Sequence, residues 1–221
     1  MSPRYRLLAA AALTAALAGC HSKGELVVDE SVGITAVRGA CPAIGIPDYT
    51  GDVTLFRTPG DSTAGNIDVV AAMTNVKSQC NDGSDADTSA KVFVSTTFDV
   101  LARRTDTRGA RQVQLPYFVA VLRGGSAVVS KRMGTVTLNF ADGQERAQVT
   151  GQGSAYIDRA EATLPAEIRE RITRKRKAGE ADAAVDPLSE PDVRAAVQRA
   201  NFELLLGFQL DQTQLSYNAT R

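Results

Sequence analysis

The sequence predicts a mainly β protein: an antiparallel, immunoglobulin-like β-sandwich followed by a C-terminal helical segment of about two helices. Three observations predict it. Between Asp52 and Asp158, runs rich in Val, Ile, Thr and Phe alternate apolar and polar residues with a period of two. Gly, Pro, Asn and Asp separate these runs at hairpin-like intervals, with no strand–helix alternation of the kind a doubly wound sheet needs. After Asp158 the pattern changes to helical spacing and i,i+4 charge pairs. The chain therefore divides into residues 1–19, 20–51, 52–158 and 159–221.

Within 52–158, "DVTLF" and "NIDVVAAMTNV" are short β-branched runs. "KVFVSTTFDVLARRT" is the clearest strand, with Val92, Val94, Thr96, Phe98, Val100 and Ala102 on one face. "RQVQLPYFVAVLRGG" places Val113, Leu115, Tyr117, Val119 and Val121 together. Pro116, lacking an amide hydrogen, predicts an edge or a bend there. Gly124-Gly125 and Asp142-Gly143 predict hairpin turns around "SAVVSKRMGTVTLNF", where Gly134 predicts a bulge or bend. "RAQVTGQGSAYI" is the last strand, and its "GQGSA" stretch predicts a bulge or a close-packing site.

The first helix is read from "LPAEIRERITRKRKAGE", with Pro165 at its start, Glu167–Arg171 and Glu170–Arg174 at i,i+4, and Gly179 at its end. "EADAAVDPL" is a linker or lid. "SEPDVRAAVQRANFELLLGFQ" reads as a second helix, opened by a Ser189/Asp192 capping pattern. Val193, Ala196, Val197, Ala200 and Leu204 make its apolar stripe, widened by Leu205 and Phe208. The helix over 190–207 is thus expected to pack on the sandwich or on an envelope protein partner.

The N-terminus carries Arg4 and Arg6, then eleven mostly apolar residues from Leu7 to Leu17. A membrane-spanning helix needs about 20 residues, so this run is a secretory signal core rather than a span. It ends Leu17-Ala18-Gly19-Cys20, which resembles a bacterial lipobox. The resemblance implies cleavage before Cys20, a diacylglyceryl group on its thiol, and anchoring of the acylated Cys20 in a lipid bilayer. His21 follows where Asp would favour inner-membrane retention, so the outer membrane, facing the periplasm, is the expected address. Residues 21–40 read as a tether that contributes an edge strand near Glu25–Val28.

Cys41 and Cys80 remain as an even pair in an oxidising compartment and predict a disulfide. It closes a loop of about 40 residues, worth roughly 4 kcal/mol by chain entropy.

Composition excludes several classes of chemistry. The formal charge is zero, and removing the signal leaves about −2, so no field points to nucleic acid. There is no Trp, and aromatic residues are only 5%, which disfavours a sugar-binding platform. The one histidine, His21, sits beside the anchor, so no Ser–His–Asp or Cys–His catalysis and no His-rich zinc site can be built in the body. "GQGSA" is followed by no helix and is not a phosphate loop. Asn81, Asp82, Asp85 and Asp87 fall in an oxygen-rich loop over 81–89. It does not match an EF-hand and reads as a solvated loop, with calcium binding as the sharper alternative. The basic run Arg171, Arg174, Lys175, Arg176 and Lys177 reads as a solvated helix face. Its sharper alternative is contact with an anionic surface of lipid or lipopolysaccharide phosphate. No metal and no cofactor is expected.

"CPAIGIPDYTGDVTLF", "FDVLARR", "ITRKRKAGEADAAVDPLSEP" and "YNATR" are similar to stretches in uncharacterised envelope lipoproteins of sphingomonad-type alphaproteobacteria. The resemblance implies an envelope lipoprotein and carries no activity or catalytic residue. The chain is therefore expected to be a membrane-anchored envelope lipoprotein with a non-enzymatic structural, binding or assembly role. The alternative is an envelope hydrolase or small-ligand-binding protein using Asp/Glu residues in a groove between sandwich and helical tail.

Overall fold

The computed structural model describes residues 39–81, 89–174 and 185–221, together with the backbone of 31–32 and 176–177. Along the chain come β1 (Ser31–Val32), β2 (Ala43–Gly45), β3 (Asp52–Phe56), β4 (Ile67–Cys80), β5 (Lys91–Arg104), β6 (Arg111–Arg123), β7 (Ala127–Phe140) and β8 (Arg146–Asp158). Then follow α1 (Arg159–Ala162), α2 (Ala166–Thr173), β9 (Arg176–Lys177), α3 (Pro191–Arg199), β10 (Phe202–Phe208) and α4 (Gln212–Thr220). The chain forms two units. The smaller contains β1 and β9, paired antiparallel with Ser31 opposite Lys177. The larger holds every other described element.

In the larger unit two four-stranded sheets share one apolar core. The first, in the order β3-β4-β5-β8, is antiparallel throughout. The second, β2-β10-β6-β7, is antiparallel except where β10 runs parallel to β2. The period-two reading of the long strands holds: Val92, Val94, Thr96, Phe98, Val100 and Ala102 of β5 are all buried, and so are Val113, Leu115, Tyr117, Val119 and Val121 of β6. They meet Val69, Ala71 and Met73 of β4 and Val136, Leu138 and Phe140 of β7 in one cluster.

Several expectations are corrected. The helix read over 190–207 ends at Arg199; residues 202–208 are β10, an interior strand between β2 and β6. A strand buried on both faces shows a near-continuous apolar run, and "FELLLGF" fits a helical stripe and a buried strand equally well. Asn201 breaks the helical phase, and Phe202, Leu204, Leu206 and Phe208 all enter the core. The helix expected to reach Gly179 stops at Thr173. Asp142-Gly143 does make a turn, Gly143 taking φ 77°, but it is not a hairpin: it carries the chain from β7 in one sheet to β8 in the other. Gly124 (φ 63°) and Gly125 (φ 78°) do join the paired strands β6 and β7.

Pro116 lies on an interior strand, not an edge. Its missing amide costs no ladder bond, because β10 pairing stops at Phe208 opposite Tyr117. Beyond that, Gln209 only donates to the Pro116 carbonyl (2.9 Å). Gly134 marks no bulge; the β6–β7 register shift falls at Val121/Leu122. A Cβ at Gly134 would lie 2.3 Å from Cζ of Tyr117, so this glycine makes room for the ring. Gly151 does the same for Phe98 and Gly153 for Val119, which is the close packing expected of "GQGSA".

The helices are a short C-terminal part. Ile168 and Ile172 of α2 pack on Val193 and Ala196 of α3 as a small second cluster. α4 is opened by an Asp211/Gln214 capping box and rests on β3. There Asn218 donates to the carbonyls of Tyr49 and Asp52 (2.8 Å each), and Tyr217 meets Phe56 edge-on at 5.0 Å.

Candidate functional site

Cys41, just before β2, and Cys80, at the end of β4, are joined by a disulfide with Cα atoms 6.1 Å apart. The bond ties a strand of the second sheet to a strand of the first. Cys20 and His21 lie outside the described residues, as do Glu25–Val28 and Asp82, Asp85 and Asp87. Asn81, at the border of that loop, accepts from the Phe93 amide through its side-chain oxygen (2.6 Å).

The basic run does not form one helical face. Arg171 lies on α2, where it is bonded to Glu190 and to Asp192 (2.5 Å). This raises its pKa and lowers that of Asp192. Arg174 follows the helix end, with its amide on the Glu170 carbonyl. Lys175 lies outside the described residues, and Arg176 and Lys177 fall in β9. The apolar stripe expected over 190–207 is used within the chain. The Val193/Ala196 half of the stripe faces α2, and Leu204, Leu206 and Phe208 are core.

Many carboxylates hold structure. Asp68 on β4 receives both ends of the Arg111 guanidinium from β6 (2.7 and 2.6 Å), a planar fork between the two sheets. Asp99 accepts from Asn75 (2.7 Å) and Thr150 (2.8 Å), which hold its carboxyl below the usual range. Asp106 is held far lower by Arg108. Asp52 meets Arg221, and Glu161 meets Arg123 at 3.2 Å. A hollow of about 480 Å³ at the tail helix is lined by Ser62, Gln212, Thr213, Ser216, Tyr217 and Thr220, without a carboxylate. Among the described residues no three His, Cys, Asp or Glu side chains gather where they could hold a metal ion. No described helix is long and apolar enough to cross a membrane.

Two features escaped the sequence reading. Arg104 is 1% exposed and has no carboxylate partner among the described residues. Its guanidinium donates to the carbonyls of Gln144 (2.7 Å), Gly109 (2.9 Å), Thr107 (2.7 Å) and Ala141 (2.7 Å), with the Phe140 ring 5.2 Å away. It pins the β5–β6 connection to the β7–β8 turn. The signal was its phase: Arg104 continues the inward series Val100, Ala102.

The second is a groove of about 640 Å³ on the outer face of β4, β5 and β8. Val70, Ala72 and Leu101 form its floor, with Arg103, Arg146 and Gln148 beside them. All six occupy the outward phase, where an exposed sheet face is ordinarily polar. Leu101 is 45% exposed. A polar cleft of about 470 Å³, lined in part by Tyr117, Arg132 and Ser154, opens near the β7 and β8 edges.

No family model, no curated protein and no solved structure matches the chain.

Proposed function

We propose that this chain is an envelope lipoprotein, exported, acylated at Cys20 and anchored in a bilayer, with a binding or assembly role and no catalytic one. In this reading its two sheets form a sandwich of immunoglobulin type presented to the periplasm. The observation that carries it is Leu17-Ala18-Gly19-Cys20 closing a short apolar run behind Arg4 and Arg6. The Cys41–Cys80 disulfide supports it, because such a bond persists in oxidising compartments and is rare in cytosolic proteins. The absence of a histidine from the folded body and the structural use of Asp68, Asp99 and Asp106 support a role without acid–base catalysis. The test is metabolic labelling with palmitate. The parent is expected to incorporate label and to fractionate with membranes. Cys20→Ala is expected to lose the label and to retain its signal segment. Equal labelling of both proteins defeats the proposal.

A further inference from the structure

The strand register arranges the outer groove in rows. Val70 stands opposite Arg103, and Arg103 stands opposite Arg146. In the next row Ala72 stands opposite Leu101, and Leu101 opposite Gln148. In the third, Thr74 stands opposite Asp99, and Asp99 opposite Thr150. The face is thus polarised. Two arginines head it, an apolar floor follows, and an ionised carboxylate closes the far end.

The arginine pair calls for an explanation. Like charges directly opposite on neighbouring antiparallel strands destabilise a sheet. Glu145 gives partial relief, approaching Arg103 at 3.6 Å between groups that are both well exposed. The Arg146 side chain makes no hydrogen bond or ion pair among the described residues. An anion lying between the two guanidinium groups removes the conflict, and the planar fork of arginine suits a carboxylate. The floor then requires that anion to carry a hydrocarbon part, since Val70, Ala72 and Leu101 offer it no polar partner. The volume, about 640 Å³, lies within the range of small-molecule sites.

We infer that the outer face of β4, β5 and β8 binds one amphiphile with a carboxylate head and an alkyl chain. The head lies between Arg103 and Arg146, and the chain runs over Val70, Ala72 and Leu101. Asp99 sets the direction, repelling the head from the other end.

The test is isothermal titration of the full-length chain in phosphatidylcholine nanodiscs, with empty discs as blank. Decanoate and decyltrimethylammonium, which offer the same alkyl chain with opposite heads, are the probes. Decanoate is expected to fill one saturable site, and the cation none. Arg146→Glu is expected to weaken decanoate at least tenfold and, without decanoate, to raise the melting temperature, because a like pair becomes an opposite one. Leu101→Asp is expected to weaken decanoate similarly. Arg146→Gln, which removes the like charge without adding an opposite one, is expected to weaken decanoate as well and not to melt lower than the parent. The inference is overturned by any of four results: no saturable decanoate uptake; equal binding of the cation; an arginine variant that binds as tightly as the parent; or an Arg146 variant that melts lower. It is equally overturned if association depends on phosphatidylglycerol in the discs and not on decanoate, which would make the face a bilayer contact.

Discussion

Arg104 heads the largest side chains that solvent does not reach, and it is there without a counter-ion among the described residues. Four carbonyl oxygens take the place of a carboxylate. Removing the guanidinium would leave the Gln144 and Gly109 carbonyls without a donor, at about 1–3 kcal/mol per buried group, whereas those of Thr107 and Ala141 keep the amides of Gly143 and Gln144. Arg104→Met is therefore expected to lose about 3 kcal/mol or more in urea unfolding. Arg104→Lys recovers only part, because an ammonium cannot span the same fork. Asp99 gives the complementary case at the surface. Its bonds to Asn75 and Thr150 favour the ionised form, so its folded pKa lies below the unfolded value of about 3.9. That contribution is complete above about pH 4 and is lost as pH falls through the folded value. Asp99→Asn should accordingly lose less melting temperature than the parent between pH 7 and pH 3. Equal losses would mean that the carboxylate is not preferentially ionised in the fold.

Among the elements, the long strands were legible because one face of each is buried and the other wet. The alternation in β5 and β6 reads directly as an inner and an outer set. β10 was not legible for the opposite reason. Once both faces of a strand are covered, periodicity carries no information, and seven mostly apolar residues after a true helix look like its continuation. The Asp142-Gly143 turn shows another limit: local residues specify a reversal of the chain but not whether the two strands pair. The glycines of β8 were half legible, their crowding being a property of the facing side chains. Gly151→Ala tests that crowding, since its Cβ would fall 2.3 Å from Cζ of a Phe98 that is itself 1% exposed. A loss of about 1–3 kcal/mol is expected, as for an overpacked core. Truncation separates strand from tail. A chain ending at residue 199 should fail to give a cooperative melt, because it lacks an interior strand. A chain ending at residue 210 should melt cooperatively but at lower temperature, having lost only α4.

Across the whole molecule, the cystine and the sheet order act together. Cys41 and Cys80 are 39 residues apart, and closing that loop reduces the entropy of the unfolded chain by about 4 kcal/mol. Cys80→Ser should lower stability by about 2–4 kcal/mol, measured by denaturant titration, with the far-ultraviolet spectrum retained. The candidate site was legible in the sequence only as the linear motif on which the proposed anchor at Cys20 rests. It was not legible at the outer groove, whose floor draws Val70 and Ala72 from one strand and Leu101 from another.

The position of β10 also sets a schedule. β10, at Phe202–Phe208, slots between β2 at Ala43–Gly45 and β6 at Arg111–Arg123, so the second sheet cannot close until residue 208 has been made. Such non-local pairing is slow. A nascent polypeptide of this kind keeps its second sheet in two pieces, β2 apart from the β6–β7 pair, until the strand that joins them has emerged.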